Sequence, residues 1–135
     1  MEQELIRDEH CFVCGKKNEL GLRLDFTYPQ PGRAEAACAI PEHFSGWRRL
    51  AHGGLLATLL DEVMAHACLN TEGAAVTMEL TVRFLKPVEV GQQVRITGEI
   101  REVKGRILVT QGEVLNSGEE VVARASARFL KVRGQ

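Results

Sequence analysis

"LAHGGLLATLLDEVMAHACL", residues 50–69, is apolar almost all the way round at helical spacing. Leu55, Leu56, Leu59, Leu60, Val63, Met64 and Ala67 recur three and four residues apart, which predicts a helix from about Gly54 to Leu69, buried on most sides. Two features do not belong to an ordinary buried helix. Asp61 and Glu62 sit in its middle, where a carboxylate is costly unless it is paired or used. His52-Gly53-Gly54 stands at its mouth, where a helix offers unpaired N–H groups and a partial positive charge. Glycine there lets another group approach those N–H groups without meeting a Cβ.

On either side of the helix the period changes to two. "LGLRLDFTY" alternates Leu22, Leu24 and Phe26 against Arg23, Asp25 and Thr27. After the turn "PQPG" at 29–32, "RAEAACAI" at 33–40 completes a predicted hairpin. "PEHFSGWRRLAHGG" has no sustained period and reads as a loop into the helix, and Gly73 is the expected terminator at its far end. In "VTMELTVRFLKP", Val76, Met78, Leu80, Val82 and Phe84 fall on one face and Thr77, Glu79, Thr81 and Arg83 on the other. "QVRITGEIREV", "GRILVTQGEVL" and "EEVVARASARFLKV" give three more strands joined by "KG" and "NSGE" turns. The order β-β-α-β-β-β-β predicts an α+β fold, in which a curved antiparallel six-stranded sheet wraps around one long central helix. The stripe Val76–Phe84 and the small residues Val121, Ala123, Ala125 and Ala127 supply the concave face.

Length and composition set the frame. A chain of 135 residues suits a single domain over 1–135, with the polar first twenty residues as an N-terminal arm. A net charge of -1 gives no global attraction to nucleic acid or to an anionic membrane. "MEQELIRDEHCF" is too polar for a signal peptide and no apolar run reaches spanning length, so a cytoplasmic location is expected. Cys11, Cys14, Cys38 and Cys68 are then expected as reduced thiols.

A single sheet covers one side of such a helix, so a second copy of the chain is expected to cover the rest. Distance points the same way. Gly53 and Asp61 are eight residues apart, roughly 12 Å along one helix. An N–H and a carboxylate that both act on one carbonyl must converge within roughly 3 Å of it. Two antiparallel helices related by a two-fold axis bring the mouth of one beside the middle of the other.

"HGGLLATLLDEVMA" resembles the signature of acyl-CoA thioesterases of the phenylacetate-pathway type, in the 4-hydroxybenzoyl-CoA thioesterase superfamily. "VTMELTVRFLKPVEVG" resembles the strand that follows the helix in that group, and "CFVCGKKNELGL" occurs in some members. The resemblance implies the hot-dog fold and hydrolysis of an acyl-CoA thioester, without a cofactor, by a homodimer or a dimer of dimers. It places the oxyanion hole at Gly53 and Gly54, with Gly54 favoured as donor. It makes Asp61 the nucleophile or general base, Thr77 its orienting hydroxyl, and His52 the residue that steadies the turn. Glu62, one position on, points about 100° away and is expected as a bystander to the chemistry that hydrogen-bonds within the substrate site. Phe44, Trp47 and His43 are expected to line the acyl pocket. Some relatives carry an Asn or Gln in this loop, where "HFSGWRRL" has neither.

Coenzyme A phosphates call for Arg or Lys. Arg83 and Arg106 are candidates, beside Arg48, Arg49, Lys86, Lys104 and Arg128. The Cys11-x-x-Cys14 pair has no second such pair to complete a structural zinc site, so no metal is expected and the cysteines are read as small packed residues. Two other functions fit the same residues: a hot-dog hydratase or dehydratase, and a non-catalytic acyl-CoA-binding protein. No nucleic acid or membrane partner is expected.

Overall fold

The computed structural model describes residues 5–132; the first four residues of the arm lie outside them. One helix, α1 (Gly53–Thr71), packs on a five-stranded antiparallel sheet. In chain order the strands are β1 (Arg33–Ala39), β2 (Ala75–Phe84), β3 (Gln93–Lys104), β4 (Ile107–Asn116) and β5 (Val121–Lys131). Across the sheet they run β1-β3-β4-β5-β2, so β1 and β2 are its edges. No helix among the described residues is long and apolar enough to cross a membrane.

The sheet has five strands where six were expected. The segment around 22–27 makes only an isolated bridge, Thr27 to Glu35. Arg23 adopts φ 53°, which no extended strand accommodates. The N–H groups of Leu22 and Leu24 instead donate to the carbonyls of Phe12 and Val13, at 2.9 Å each. The would-be strand is therefore stitched to the arm, which is irregular and built of turns.

A row of small residues explains why the helix lies so close to the sheet. Register places Ala34, Gly98, Gly112 and Ala125 side by side across β1, β3, β4 and β5. A Cβ on Gly98 would come 2.9 Å from the Val63 carbonyl oxygen, and one on Gly112 would come 3.2 Å from Met64 Cγ. Larger residues flank this trough: Leu59, Leu60, Val63 and Met64 from the helix, and Ile96, Leu108, Val114 and Phe129 from the sheet, all buried. On β5 the inward residues are Ala123, Ala125, Ala127 and Phe129. A register shift at Leu115 puts Val122, rather than the expected Val121, into the core. The helix ends as predicted, with Glu72 N–H on the Cys68 carbonyl at 2.8 Å and Gly73 at φ 88°.

The β2 edge is dressed differently from the rest. Met78, Phe84 and Leu85 stand 51%, 53% and 46% exposed. An unpaired strand edge carrying such side chains is a template for another chain.

Candidate active site

His52 caps α1. Its ring nitrogen Nδ1 accepts the Gly54 N–H at 2.8 Å. The cap depends on glycines. A Cβ on Gly54 would crowd that ring at 3.0 Å, and one on Gly46 would crowd it at 3.2 Å. The Gly54 N–H is thus engaged, contrary to its expected role as the free donor. The Gly53 N–H has no partner among the described residues. Gly53 is the first helical residue, so its N–H points out of the helix mouth.

Three clefts meet at this mouth. One of about 310 Å³ is lined by Trp47, Leu56, Phe84, Leu85 and Val88 beside Gly53. A second runs along Ser45, Gly46 and Trp47. A third is lined by Phe44, His43, Phe12 and Thr58 beside Gly54. Trp47 stands 82% exposed at the rim, and the expected acyl-pocket residues Phe44 and Trp47 both lie here. Phe84 and Phe12 are additions. Phe84 reads in sequence as one more residue of the β2 stripe, and Phe12 as part of a polar arm, so neither carried a site signal. Arg48 and Arg49 are exposed in the same loop and make no ion pair among the described residues.

Asp61 lies two turns further along and lines none of these clefts. Its Oδ1 accepts a 2.7 Å hydrogen bond from the Thr77 hydroxyl. Strict alternation assigned Thr77 to the outer face with Glu79 and Arg83. A β-bulge at Met78 corrects this: Thr77 pairs with the buried Phe129, whereas Glu79 pairs with Arg128. The extra residue turns Thr77 toward the helix while Leu80 and Val82 still face inward. Burial pushes the Asp61 carboxyl up, the Thr77 bond pulls it back and the Glu62 charge pushes it up again, so it sits above the usual carboxylate range. No cation lies among those influences.

Glu62 faces elsewhere. It meets Cys11, Cys14 and His66 under the arm, with its Oε2 3.7 Å from Cys11 Sγ and 3.4 Å from His66 Nε2. Burial would push it up. Hydrogen bonds from His66 and Cys14, the His66 charge and Cys11 outweigh that and hold it below its ordinary value. Burial, and then Glu62, push the Cys14 thiol up to about 12. Arg83 pairs with Arg124 on the outer face of the sheet, away from Asp61. Arg106 is tied to the Lys131 carbonyl at 2.9 Å. The structure therefore brings His52, Gly53, Gly54, Phe44 and Trp47 together, and joins Asp61 to Thr77. It places Glu62, Arg83 and Arg106 apart from both groups.

The chain is similar to known proteins in both sequence and fold. The chain is 27% identical to the acyl-coenzyme A thioesterase PaaI of Escherichia coli over 114 residues, 84% of this chain and 81% of that one. It is 28% identical over 91 residues to the acyl-coenzyme A thioesterase THEM4 of Rattus norvegicus, covering 67% of this chain. It spans only about two fifths of THEM4, 39% of its length. Among solved structures, a thioesterase superfamily protein superposes with TM-score 0.86 at 24% identity, over 91% of this chain and 61% of that one. The E. coli PaaI structure does so with TM-score 0.78 at 25% identity, over 83% and 81%. These likenesses give the fold its name: it is the hot-dog fold of the thioesterases. The thioesterase superfamily model matches residues 50–123, more than half the chain and the whole of the helix–β2 region, and the chain belongs to that superfamily.

Proposed function

We propose that the protein hydrolyses acyl-CoA thioesters at sites shared between two copies of the chain. The observation that carries this is the carboxylate of Asp61: half-buried in a core helix, bonded to one hydroxyl and paired with no cation among the described residues. A carboxylate held so is poised as a base or nucleophile. Its raised affinity for a proton suits a group that must take one from water. The Gly53 N–H supplies the complementary donor, where negative charge develops on the thioester oxygen. In the general-base route, Asp61 draws a proton from water as the water oxygen bonds to the carbonyl carbon. The carbon–sulfur bond then breaks, the electron pair leaves on coenzyme A sulfur, and the sulfur takes up the proton. In the nucleophilic route, Asp61 bonds to the carbon itself as the carbon–sulfur bond breaks and coenzyme A leaves as thiolate. Water then cleaves the resulting anhydride, freeing the acid and the Asp61 carboxylate and leaving a proton for the sulfur.

Pairing of the β2 edge with its two-fold mate would place each Asp61 near the partner's helix mouth. The acyl group would occupy the clefts at Trp47, Phe44 and Phe84, and Arg48 and Arg49 would reach the phosphates of the coenzyme. E. coli PaaI is named an acyl-CoA thioesterase, and a structural neighbour from Streptococcus mutans is described bound to acetyl CoA. Both support this substrate class. A panel of acyl-CoAs with a thiol-detecting reagent tests it, and no thiol release from any member above the uncatalysed rate would refute it.

The shared site has its own test. Gly53→Pro deletes the N–H at the first helical position, where proline fits. His52 already has the extended backbone, φ -62° and ψ 133°, that a following proline requires. Asp61→Ala deletes the carboxylate. Each variant alone should be nearly inactive. Co-refolded in equal amounts they should recover up to about a quarter of wild-type activity per chain, because half the dimers are mixed and each has one intact site of two. No recovery from well-folded mixtures would place both groups within one chain.

A further inference from the structure

We propose that the N-terminal arm and the central helix together form a structural zinc site, with Cys11, Cys14 and Glu62 as ligands and His66 within reach as the fourth. The expectation of no metal rested on the missing second Cys-x-x-Cys pair. The fold supplies the other half from the helix instead. The two sulfurs and a Glu62 carboxylate oxygen all lie within 4.8 Å of one another. That same side of the helix carries His66, one turn on, whose Nε2 is 3.4 Å from Glu62 Oε2. In a tetrahedral zinc site, bonds of about 2.3 Å to sulfur and about 2.0–2.1 Å to nitrogen or oxygen set the ligand atoms roughly 3.3–3.8 Å apart. Binding would draw the Cys11, Cys14 and Glu62 atoms, now within 4.8 Å of one another, in to that spacing, with His66 Nε2, now 3.4 Å from Glu62 Oε2, moving in as the fourth ligand.

The surroundings are shaped for it. The arm turns so tightly at Cys14-Gly15 that a Cβ on Gly15 would lie 2.4 Å from both the Cys11 nitrogen and the Glu9 oxygen. Only glycine fits, and the turn is closed by Gly15 N–H on the Cys11 carbonyl at 2.9 Å. Buried Val13 anchors the loop between the two cysteines. His66 is oriented as a ligand imidazole is. Its ring stacks on Phe26 with centroids 3.9 Å apart, and its Nδ1 lies 2.8 Å from the Tyr28 hydroxyl. On metal binding the ring would keep a proton only on Nδ1, donated to Tyr28, and Nε2 would release the one it otherwise donates to Glu62. The partners gathered round Glu62 are two thiols and an imidazole, a metal-ligand set, and no Lys or Arg is paired with it among the described residues.

A set of two sulfurs, one oxygen and one nitrogen selects zinc over calcium or magnesium, which take oxygen ligands. Binding converts the thiols to thiolates and releases their protons. Four protein ligands leave no open position, so the ion would hold the arm on the helix beside Asp61 and take no part in hydrolysis. The proposal stands independently of the thioesterase reading, because its test reads metal.

Wild-type protein, purified with a non-thiol reductant and stripped by chelator, is titrated with zinc and separately with cobalt(II). We expect about one zinc per chain, a thiolate-to-cobalt charge-transfer band, and a rise in melting temperature with zinc. Cys11→Ser/Cys14→Ser should bind no stoichiometric zinc and lose the band. Glu62→Gln keeps both thiols and should bind at least about tenfold more weakly. If the double variant does not fold, the cobalt spectrum of the wild type decides, and absence of a thiolate band overturns the proposal. So do a folded, reduced wild type that takes up no zinc at micromolar free metal, and a folded double variant that retains it.

Discussion

Asp61 and Glu62 are neighbours on one helix, and the fold treats them in opposite ways. Asp61 is left with a single hydroxyl for a partner and is held above the usual carboxylate range. Glu62 is surrounded by two thiols and an imidazole and is held below it. Composition cannot distinguish them, and both are partly buried. The difference comes from what the sheet and the arm present to each side of the helix. A group whose partners satisfy its charge is spent on structure, whereas one left under-satisfied in a low-dielectric place is available for chemistry.

The largest effect should therefore follow from swapping one oxygen of Asp61. Asp61→Asn should keep the fold and lower kcat by roughly 10²-fold or more. Its melting temperature should stay level or rise, because the amide removes a half-buried charge that has no counter-ion among the described residues. Glu62→Gln is the matched contrast, with the reverse pattern: turnover falls less and stability falls more. Equal kinetic losses in the two variants would show that the two carboxylates do not differ in role. Thr77→Ala should come next, with kcat down about tenfold, because one hydrogen bond to a charged group is worth about 1.5–3 kcal/mol. A Thr77→Ser variant that restores most of the activity would tie the effect to the hydroxyl.

Sequence periodicity carried the helix, its glycine mouth and all five strands nearly to their ends, because each is written in residue spacing alone. Asp61 stood out for the same reason: a charge in an apolar helix needs no structure to be noticed. What stayed hidden depended on register or on distant contacts. Alternation alone read Thr77 as an outward residue, and only the family resemblance marked its hydroxyl, because a bulge at Met78 leaves no mark on an alternating pattern. Gly53 and Gly54 are indistinguishable as letters. Only the His52 ring, folded back onto Gly54, shows which N–H is spoken for. The predicted strand at 22–27 failed because Arg23 took a left-handed backbone and the chain bonded to the arm instead. Cys11 and Cys14 lie some fifty positions from Glu62, and no local pattern joins them.

The contrast between the two sides of the helix also depends on how deeply it is seated. Gly98→Ala would set a methyl group 2.9 Å from the Val63 carbonyl, a backbone atom that cannot swing aside. Overpacking of this kind costs about 1–3 kcal/mol. Chemical denaturation should show that loss with an unchanged slope. Because Val63 lies two residues from Asp61, the lifted helix should also lengthen the Thr77 bond, so kcat should fall along with stability. Lost stability with full kcat would show that the carboxylate tolerates movement of its helix.

The smallest expected effect lies on the outer face, where partners again decide what a charge does. Arg83 sits directly across from Arg124, and Glu113 already pairs with Arg124 at 3.5 Å. Like charges opposite each other on adjacent strands repel, by an amount that water and salt keep small. Arg83→Glu should therefore raise stability by less than about 1 kcal/mol, and the gain should shrink as salt is added. The same variant examines the candidacy of Arg83 for the coenzyme phosphates. The side chain leaves the sheet on the face opposite the helix, away from both Asp61 and the clefts at Gly53. KM for an acyl-CoA should accordingly change by less than about twofold, since a lost phosphate contact would cost about tenfold for each 1.4 kcal/mol. A tenfold rise in KM at unchanged kcat would return Arg83 to the binding site and show that the coenzyme crosses the outer face of the sheet.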